Sequence, residues 1–244
     1  MATEARRPAF YALASGGWRD YVTLLHAPYT AWHLSYVAIG AALTPAFAWD
    51  RLLPTLAAFF LALGIGAHAL DELYGRPLRT HIPDGVLIAL AAISIAGAVA
   101  IGVVGAVIAS PWLALFVAAG ALIVVAYNLE LAGGRFHDDF WFALAWGSFP
   151  LLTAYFAAAE RIDVVALGGA VFAFALSRAQ RLLSTPVRDV RRRVTRVSGA
   201  LERADGSEEP ATAELLLRGK EGALRALIVA TVVLAGTLVI MRVT

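Results

Sequence analysis

The sequence contains no cysteine and comparatively few charged side chains. In a chain of 244 residues, the absence of cysteine excludes a disulfide scaffold, thiolate catalysis and a cysteine-ligated zinc site. Only 16% of the residues are charged, whereas a soluble domain carries about 25%. A Walker loop, an HExxH zinc motif, a GxSxG nucleophile elbow and a Rossmann glycine fingerprint are also missing. The chain therefore has too few polar side chains to cover a globular surface.

Apolar residues take the place of the missing charges. They make up 60% of the chain, and the mean hydropathy is +0.72, which excludes disorder. The apolar runs are continuous rather than alternating, so they favour membrane helices over barrel strands. A net charge of only +2 gives no reason to expect nucleic acid as a partner. The sequence predicts an all-α integral membrane protein, a bundle of about seven transmembrane helices. The predicted spans are residues 21–47, 53–70, 85–108, 112–128, 140–159, 164–176 and 223–241.

The distribution of lysine and arginine predicts the orientation of this bundle. With the N-terminus in the cytoplasm, only Arg51, Arg161 and Arg242 of the 20 basic residues fall on the outside. We therefore expect a bacterial-type cytoplasmic membrane, a cytoplasmic N-terminus and an external C-terminus. The polar connections then face the cytoplasm, and any chemistry is expected there. The predicted units are a cytoplasmic segment (1–20), one transmembrane domain (21–244) and a cytoplasmic insert within it (about 178–221).

The first cytoplasmic connection combines acids with arginines. His68, Asp71 and Glu72 stand at i, i+3 and i+4 and would share one face of a helix. Mg²⁺ typically takes one or two carboxylates and completes its shell with water and phosphate oxygens. Arg76 and Arg79 follow directly, and arginine is suited to bidentate phosphate contacts. The stretch is interpreted either as a metal–diphosphate site or as a solvated helix end whose acids and arginines pair with each other.

Polar side chains also occur inside or next to the predicted spans. His26 and His33 lie on one face of the first span, a spacing that suits haem or metal ligation, or two buried histidines bonded by neighbouring helices. Tyr127 and Asn128 are expected to line a cavity at the cytoplasmic end of the fourth span. The acidic residues at 138–139 begin the fifth span, where they complement the helix dipole.

The third connection is the most basic part of the chain. Pro186 is typical of the first position of a helix, and apolar residues then recur every three or four positions between 187 and 201, with arginines between them. This pattern predicts a basic amphipathic helix that lies on the anionic cytoplasmic leaflet. A direct role of this helix in ligand binding is the alternative. Residues 204–212 are expected to form a flexible linker to the last span.

Three stretches of the chain carry a family resemblance. Residues 24–42 begin Leu-Leu-His-Ala-Pro-Tyr-Thr and end in a run of small residues, like the first helix of the family. Residues 68–83 look like its first aspartate motif and the basic segment behind it. Tyr127-Asn128 and residues 139–155 look like its tyrosine-bearing loop and fifth helix. Together they resemble the UbiA superfamily of intramembrane prenyltransferases, in a divergent form that does not retain the second aspartate motif.

The resemblance implies a helical bundle that opens to the cytoplasm and holds Mg²⁺ and an isoprenoid diphosphate. It implies that Asp71 and Glu72 are catalytic metal ligands and that Asp138 and Asp139 are further ligands from the neighbouring loop. Arginines stand where the second aspartate motif is expected, and they imply direct contacts to the diphosphate. The implied substrate- and diphosphate-binding residues are His68, Arg76, Arg79, Tyr127, Asn128, Arg135, Arg178 and Arg181.

Two classes of function remain open at this point. The first is a divergent UbiA-like enzyme that acts on a prenyl diphosphate or related isoprenoid lipid, by prenyl transfer or by cyclisation. Mg²⁺ and arginines would stabilise the leaving diphosphate, and aromatic walls would stabilise the resulting cation. The second is a non-catalytic UbiA-like subunit that binds a lipid or pigment in a membrane complex with partner subunits. A small transporter is a weaker hypothesis, because no charged residue lies in the middle of a span.

Overall fold

The computed structural model describes residues 7–244, and the chain is mostly helical over this range. The predicted cytoplasmic segment, residues 1–20, therefore lies partly outside the described residues. The described part contains eight helices and one two-stranded hairpin. In chain order these are α1 (Trp18–Leu24), α2 (Ala27–Leu43), α3 (Trp49–Leu73), α4 (Asp84–Ile108), α5 (Leu113–Asn128), α6 (Asp139–Ala159), α7 (Val164–Arg192), β1 (Ala200–Glu202), β2 (Glu208–Pro210) and α8 (Ala213–Ile240).

Four of these helices, α3, α4, α6 and α8, are long and apolar enough to cross a membrane, and α5 is a shorter apolar helix. Their outer faces expose apolar side chains: Val107 is 81% exposed and Ile93 is 73% exposed. Exposed apolar surface costs roughly 25 cal/mol per Å² in water, so these faces suit a lipid environment. The helical membrane architecture expected from the sequence agrees with the structure. The number of seven crossings stays a prediction, since α2 has only 17 residues and the second half of α7 is strongly basic.

Two of the long helices contain π-helical segments, Phe60–Ala67 in α3 and Leu144–Ser148 in α6. The second lies close to α7, and a Cβ added to Gly147 would come within 2.6 Å of a backbone oxygen there. Such segments are frequent at functional sites. His68 follows the first segment directly and Trp146 lies within the second, and both side chains line the same interior cavity.

The predicted helix start at Pro186 is wrong, because α7 continues through this proline without interruption. A proline in a helix interior costs about 3 kcal/mol, and packing offsets this cost. Val187 is only 4% exposed, and it belongs to one buried cluster with Leu217 and Leu224 of α8. Contact with α8 therefore holds the basic segment in line with the rest of α7, so that it is not an independent helix.

The predicted amphipathic helix does not extend to residue 201, and residues 204–212 are not an unstructured linker. The helix α7 already ends at Arg192, and the irregular chain beyond it reaches Gly199, whose φ of 117° is typical of glycine, directly before the hairpin. Strands β1 and β2 then pair antiparallel, with Ala200 opposite Pro210. Thr212 caps α8, since its hydroxyl accepts a 3.1 Å hydrogen bond from the backbone N–H of Leu215. Residues 204–212 thus form the turn, the second strand and the start of the last helix.

Four segments of the chain meet at one end of the bundle. Arg191 of α7 donates to the backbone carbonyl of Arg7 at 3.2 Å and forms an ion pair with Glu221 of α8. Arg79, in the loop between α3 and α4, donates to the backbone carbonyl of Arg192 at 3.1 Å. The N-terminal segment, this loop, the second half of α7 and the first turns of α8 therefore form one polar end. It contains the segments that the charge distribution assigns to the cytoplasm.

Candidate functional site

A polar cavity of about 410 Å³ lies at this end, between α2, α3, α5, α6 and α7 and beneath the N-terminal segment. We call it the polar cavity. Five of the residues selected from the sequence contribute to its wall, and the others do not. Those in the wall are His68, Asp71, Tyr127, Asn128 and Arg181. Those outside it are Glu72, Arg76, Arg79, Arg135, Arg178, Asp138 and Asp139.

Asp71 and Glu72 are neighbours in sequence but point to different environments. Glu72 is completely buried, and its carboxylate accepts 2.8 Å hydrogen bonds from the backbone N–H groups of Leu78 and Thr80 and from the Thr80 hydroxyl. It therefore organises the loop behind α3. Asp71 lines the polar cavity and forms no hydrogen bond or ion pair within residues 7–244. Arg192 and Arg188 are the charges that act on it most strongly.

The arginines that follow these acids are engaged in the loop itself. Arg76 pairs with Asp84 at the start of α4 and also donates to the backbone carbonyl of Ile82 at 2.6 Å. Arg79 is directed to the end of α7. Both adopt positive φ angles, 53° and 58°, which place them at sharp bends of the chain. The predicted grouping of two acids and two arginines around one bound anion is therefore not assembled.

The predicted carboxylate ligands are likewise dispersed. Asp138 caps α6 by accepting a 2.8 Å hydrogen bond from the backbone N–H of Trp141. Asp139 lies between Arg178 and Arg181, each 2.9 Å away. In the part of the chain that the structure describes, no group of three histidines or carboxylates is arranged to hold a metal ion. Asp71 is the one predicted metal ligand that remains available to a ligand in the polar cavity.

Arg188 and Arg192 carry the unbalanced positive charge of the polar cavity. Arg188 makes only a 3.3 Å contact to the Thr185 hydroxyl, and Arg192 donates to the backbone carbonyl of Pro8 at 3.4 Å. Neither has a carboxylate within ion-pair distance in the described range. Both side chains are partly buried. Charges withdrawn from water without a counterion are costly, so this pair favours an anionic ligand.

Two stacked histidines form another part of the wall. The rings of His26 and His68 lie 4.0 Å apart and are nearly parallel, at 10°. Nδ1 of His26 is 2.9 Å from the Tyr11 hydroxyl, and Nδ1 of His68 is 3.2 Å from a backbone carbonyl of α3. His33 bonds the backbone carbonyl of Trp146 at 2.9 Å, as expected for a buried histidine satisfied by a neighbouring helix. Nε2 of His26 is buried and has no partner among the described residues.

Aromatic rings close the side of the polar cavity that faces the bundle interior. Tyr127 lies 4.4 Å from Trp146 and 4.4 Å from His137, measured between ring centroids. Phe142 stacks on Trp146 at 5.8 Å, and the guanidinium of Arg181 lies 5.1 Å from the Phe142 ring. This wall offers π-faces beside a positively charged chamber.

An apolar groove of about 520 Å³ lies on the other side of this wall, between α3, α4, α5 and α6. We call it the apolar groove. Its lining is almost entirely aliphatic and aromatic, for example Phe59, Ile95 and Val117. Trp146 contributes to the lining of both the apolar groove and the polar cavity. Trp146 is therefore common to the lining of a charged cavity and an apolar groove.

Several residues of the polar cavity were missed by sequence reasoning. Arg188 and Arg192 follow the predicted Arg181 after seven and eleven residues, which places all three on one helix face. This spacing places the arginines on one face only if the helix continues through Pro186, whereas a proline typically indicates a helix boundary. Tyr11 reaches the site from outside any predicted span, and no sequence pattern marks it.

No family model, no curated protein and no solved structure matches this chain.

Proposed function

We propose that the protein is a UbiA-like membrane protein that binds a prenyl diphosphate or related isoprenoid lipid, with the headgroup in the polar cavity and the chain in the apolar groove. The supporting observation is the position of Arg188 and Arg192, which have no carboxylate partner in the described range and line a cavity that shares Trp146 with the groove. A small soluble anion would leave the groove unused, and a neutral lipid would leave two partly buried charges unpaired. An amphipathic anion suits both regions.

The membrane arrangement is part of this proposal. We place α2 to α8 as seven spans, with the polar cavity open to the cytoplasm and the C-terminus outside. The end that contains the cavity is also the end where most arginines gather, and the positive-inside rule assigns such an end to the cytoplasm. The apolar groove then lies at the depth of the lipid chains, where an isoprenoid would enter.

If the protein is an enzyme, its own residues supply the parts of an allylic ionisation. Arg188 and Arg192 neutralise the charge that develops on the diphosphate as the C–O bond breaks. The faces of Tyr127 and Trp146 stabilise the allylic cation through their ring quadrupoles. The closed aromatic wall keeps water from the cation, so that transfer to an acceptor or cyclisation competes with hydrolysis.

This proposal gives Mg²⁺ fewer protein ligands than the sequence predicted. The two-carboxylate site does not fit, because Glu72 is saturated by the loop behind α3. Asp71 would be the single protein carboxylate, with water and diphosphate oxygens completing the shell. The role of the arginines does not depend on the metal.

A second candidate function is the non-catalytic one, a lipid- or pigment-binding subunit of a membrane complex. The observation that favours it is the position of Asp139, which Arg178 and Arg181 neutralise in the region where the UbiA family holds its second metal site. Binding would then occur without turnover, and partner subunits would use the bound molecule.

Labelled geranylgeranyl diphosphate and the purified protein in detergent test both functions. Binding and release of inorganic diphosphate are measured with Mg²⁺ and again with EDTA. Release supports the enzyme, binding without release supports the subunit, and the absence of saturable binding contradicts both. Arg188→Gln should weaken binding roughly tenfold or more, because hydrogen bonds to charged groups contribute about 1.5–3 kcal/mol. Arg196→Gln removes the same charge at an exposed position outside the cavity wall and should leave binding unchanged.

A further inference from the structure

Two buried side-chain atoms in the described part of the chain have no hydrogen-bond partner, and both belong to the wall of the polar cavity. They are Nε2 of His26, between α1 and α2, and Oε1 of Gln180, on α7. The two residues are 9% and 3% exposed. An unsatisfied buried polar atom costs about 1–3 kcal/mol. Their occurrence in one cavity therefore indicates that a bound molecule completes both.

The hydrogen-bonding character of Gln180 restricts what that molecule is. Its orphan oxygen can only accept a hydrogen bond. The carboxylate of Asp71, in the same wall, also lacks a donor. Without a metal ion, an ionised diphosphate only accepts hydrogen bonds, so it can pair with Arg188, Arg192 and the amide nitrogen of Gln180 but leaves both acceptors without a donor.

His26 presents the opposite character. Burial raises the pKa of the Tyr11 phenol well above its ordinary value, so the phenol remains protonated and can donate to Nδ1 of His26 across 2.9 Å. A neutral imidazole that accepts at Nδ1 carries its proton on Nε2. The polar cavity therefore offers a donor at His26 and acceptors at Gln180 and Asp71, besides its arginines.

We propose that the ligand of the polar cavity is a phosphate ester that carries a free hydroxyl near its phosphate group. This proposal rests on the proposed anionic lipid site and adds a donor to its headgroup. The phosphate pairs with Arg188 and Arg192, and the hydroxyl donates to Oε1 of Gln180. An amine would supply the same donor, but its positive charge would lie beside arginines that are already in excess.

Two lipids with identical acyl chains and the same single negative charge test the hydroxyl directly. Phosphatidylglycerol has free hydroxyls in its headgroup and phosphatidylmethanol has none. We expect the wild-type protein, in neutral-lipid nanodiscs, to bind phosphatidylglycerol roughly fivefold more tightly, the effect of one additional neutral hydrogen bond. Gln180→Met removes the acceptor at similar volume, so it should abolish the preference, which is measured as the ratio of the two lipid affinities in the same variant. Gln180→Glu retains an acceptor, so it should keep the preference while weakening both lipids.

The same comparison with glycerophosphoglycerol and dimethyl phosphate separates a soluble ligand from a lipid. If only the lipids show the preference, the ligand is a membrane lipid. If the soluble pair shows it as well, the hydroxyl-bearing phosphate group is sufficient for binding and a soluble ligand fits the site. Equal wild-type affinity for the two lipids, weakened by Arg188→Gln, would overturn the hydroxyl and leave the anionic site standing, with water as the partner of the orphan atoms. Binding of neither lipid would overturn this inference, whereas the proposed function is decided separately by the binding of labelled geranylgeranyl diphosphate. Should Gln180→Met not fold, the wild-type comparison decides alone.

Discussion

The polar cavity and the loop of residues 74–83 begin at the same end of α3. Charged groups at the loop have hydrogen-bond or ion-pair partners, whereas several of those in the cavity have none among the described residues. In the loop, Glu72 accepts three hydrogen bonds and Arg76 is held by Asp84 and a backbone carbonyl. In the cavity, Asp71 and the two nearest arginines have no ion-pair partner within residues 7–244. Two neighbouring regions that both contain carboxylates and arginines therefore differ in whether the fold pairs these charges within itself.

This difference predicts that the loop contributes to the stability of the protein and that the cavity contributes to ligand binding. Charges that the chain satisfies itself contribute to stability, and their removal should be visible in unfolding. Charges that the chain leaves unsatisfied cost stability, and they persist where a ligand compensates them. Substitutions in the loop should therefore change the free energy of unfolding, whereas substitutions in the cavity should change anion binding.

The largest effect is expected at Glu72. Glu72→Ala leaves the backbone N–H groups of Leu78 and Thr80 and the Thr80 hydroxyl buried without an acceptor. It should lower the free energy of unfolding by about 4 kcal/mol, since each orphaned donor costs about 1–3 kcal/mol. Denaturant titration in detergent micelles measures this. Asp71→Ala is the matched control on the adjacent residue and should leave stability unchanged or raise it, while weakening Mg²⁺-dependent diphosphate binding. Equal losses of stability at the two positions would show that the cavity and the loop are one structural unit.

Neighbouring arginines on α7 allow the same comparison within one helix. Arg191 and Glu221 form an ion pair, and their side chains are only 15% and 11% exposed. A second hydrogen bond joins Nη2 of Arg191 to Oε2 of Glu221 at 2.9 Å. Removing one member of a buried pair costs about 3–5 kcal/mol, so Arg191→Gln should lower the melting temperature strongly. Arg192→Gln, one residue further, should lower anion affinity and leave the melting temperature unchanged. If Arg192→Gln destabilises as much as Arg191→Gln, its contact with the N-terminal segment is structural and the cavity holds less excess charge than we infer.

Much of the fold could be read from the sequence because continuous apolar runs are a strong signal. Six of the seven predicted spans coincide with one helix each, although the boundaries differ, whereas the first span is broken at His26, whose φ of 45° separates α1 from α2. A proline rule also predicted a new helix at Pro186, and burial of Val187 against α8 overrode it. Local propensity cannot anticipate a contact with a helix that starts more than twenty residues later.

The candidate site was predictable only in part, because the sequence does not show which polar groups bond to each other in the folded chain. Spacing correctly brought His68 and Asp71 toward one region, and position at a span end did the same for Tyr127. Spacing could not show that Glu72 points into the loop, because the three donors that hold it come from backbone whose path depends on the fold. It also could not show that Tyr11, fifteen residues from His26, reaches the same cavity.

The smallest effect is expected at Arg76, and it decides whether the loop belongs to the site. Arg76 pairs with Asp84 at a position where 33% and 68% of the two side chains are exposed. Exposed ion pairs contribute about 0.2–1 kcal/mol, so Arg76→Gln should lower the free energy of unfolding by about 0.5 kcal/mol. Its diphosphate affinity should equal that of the wild-type protein, because the guanidinium is outside the cavity wall. Salt should reduce the small stability difference, since the pair is solvent-screened. A clear loss of diphosphate binding in Arg76→Gln would place the loop against the bound anion after all, and the contrast between a self-satisfied loop and an unsatisfied cavity would fail.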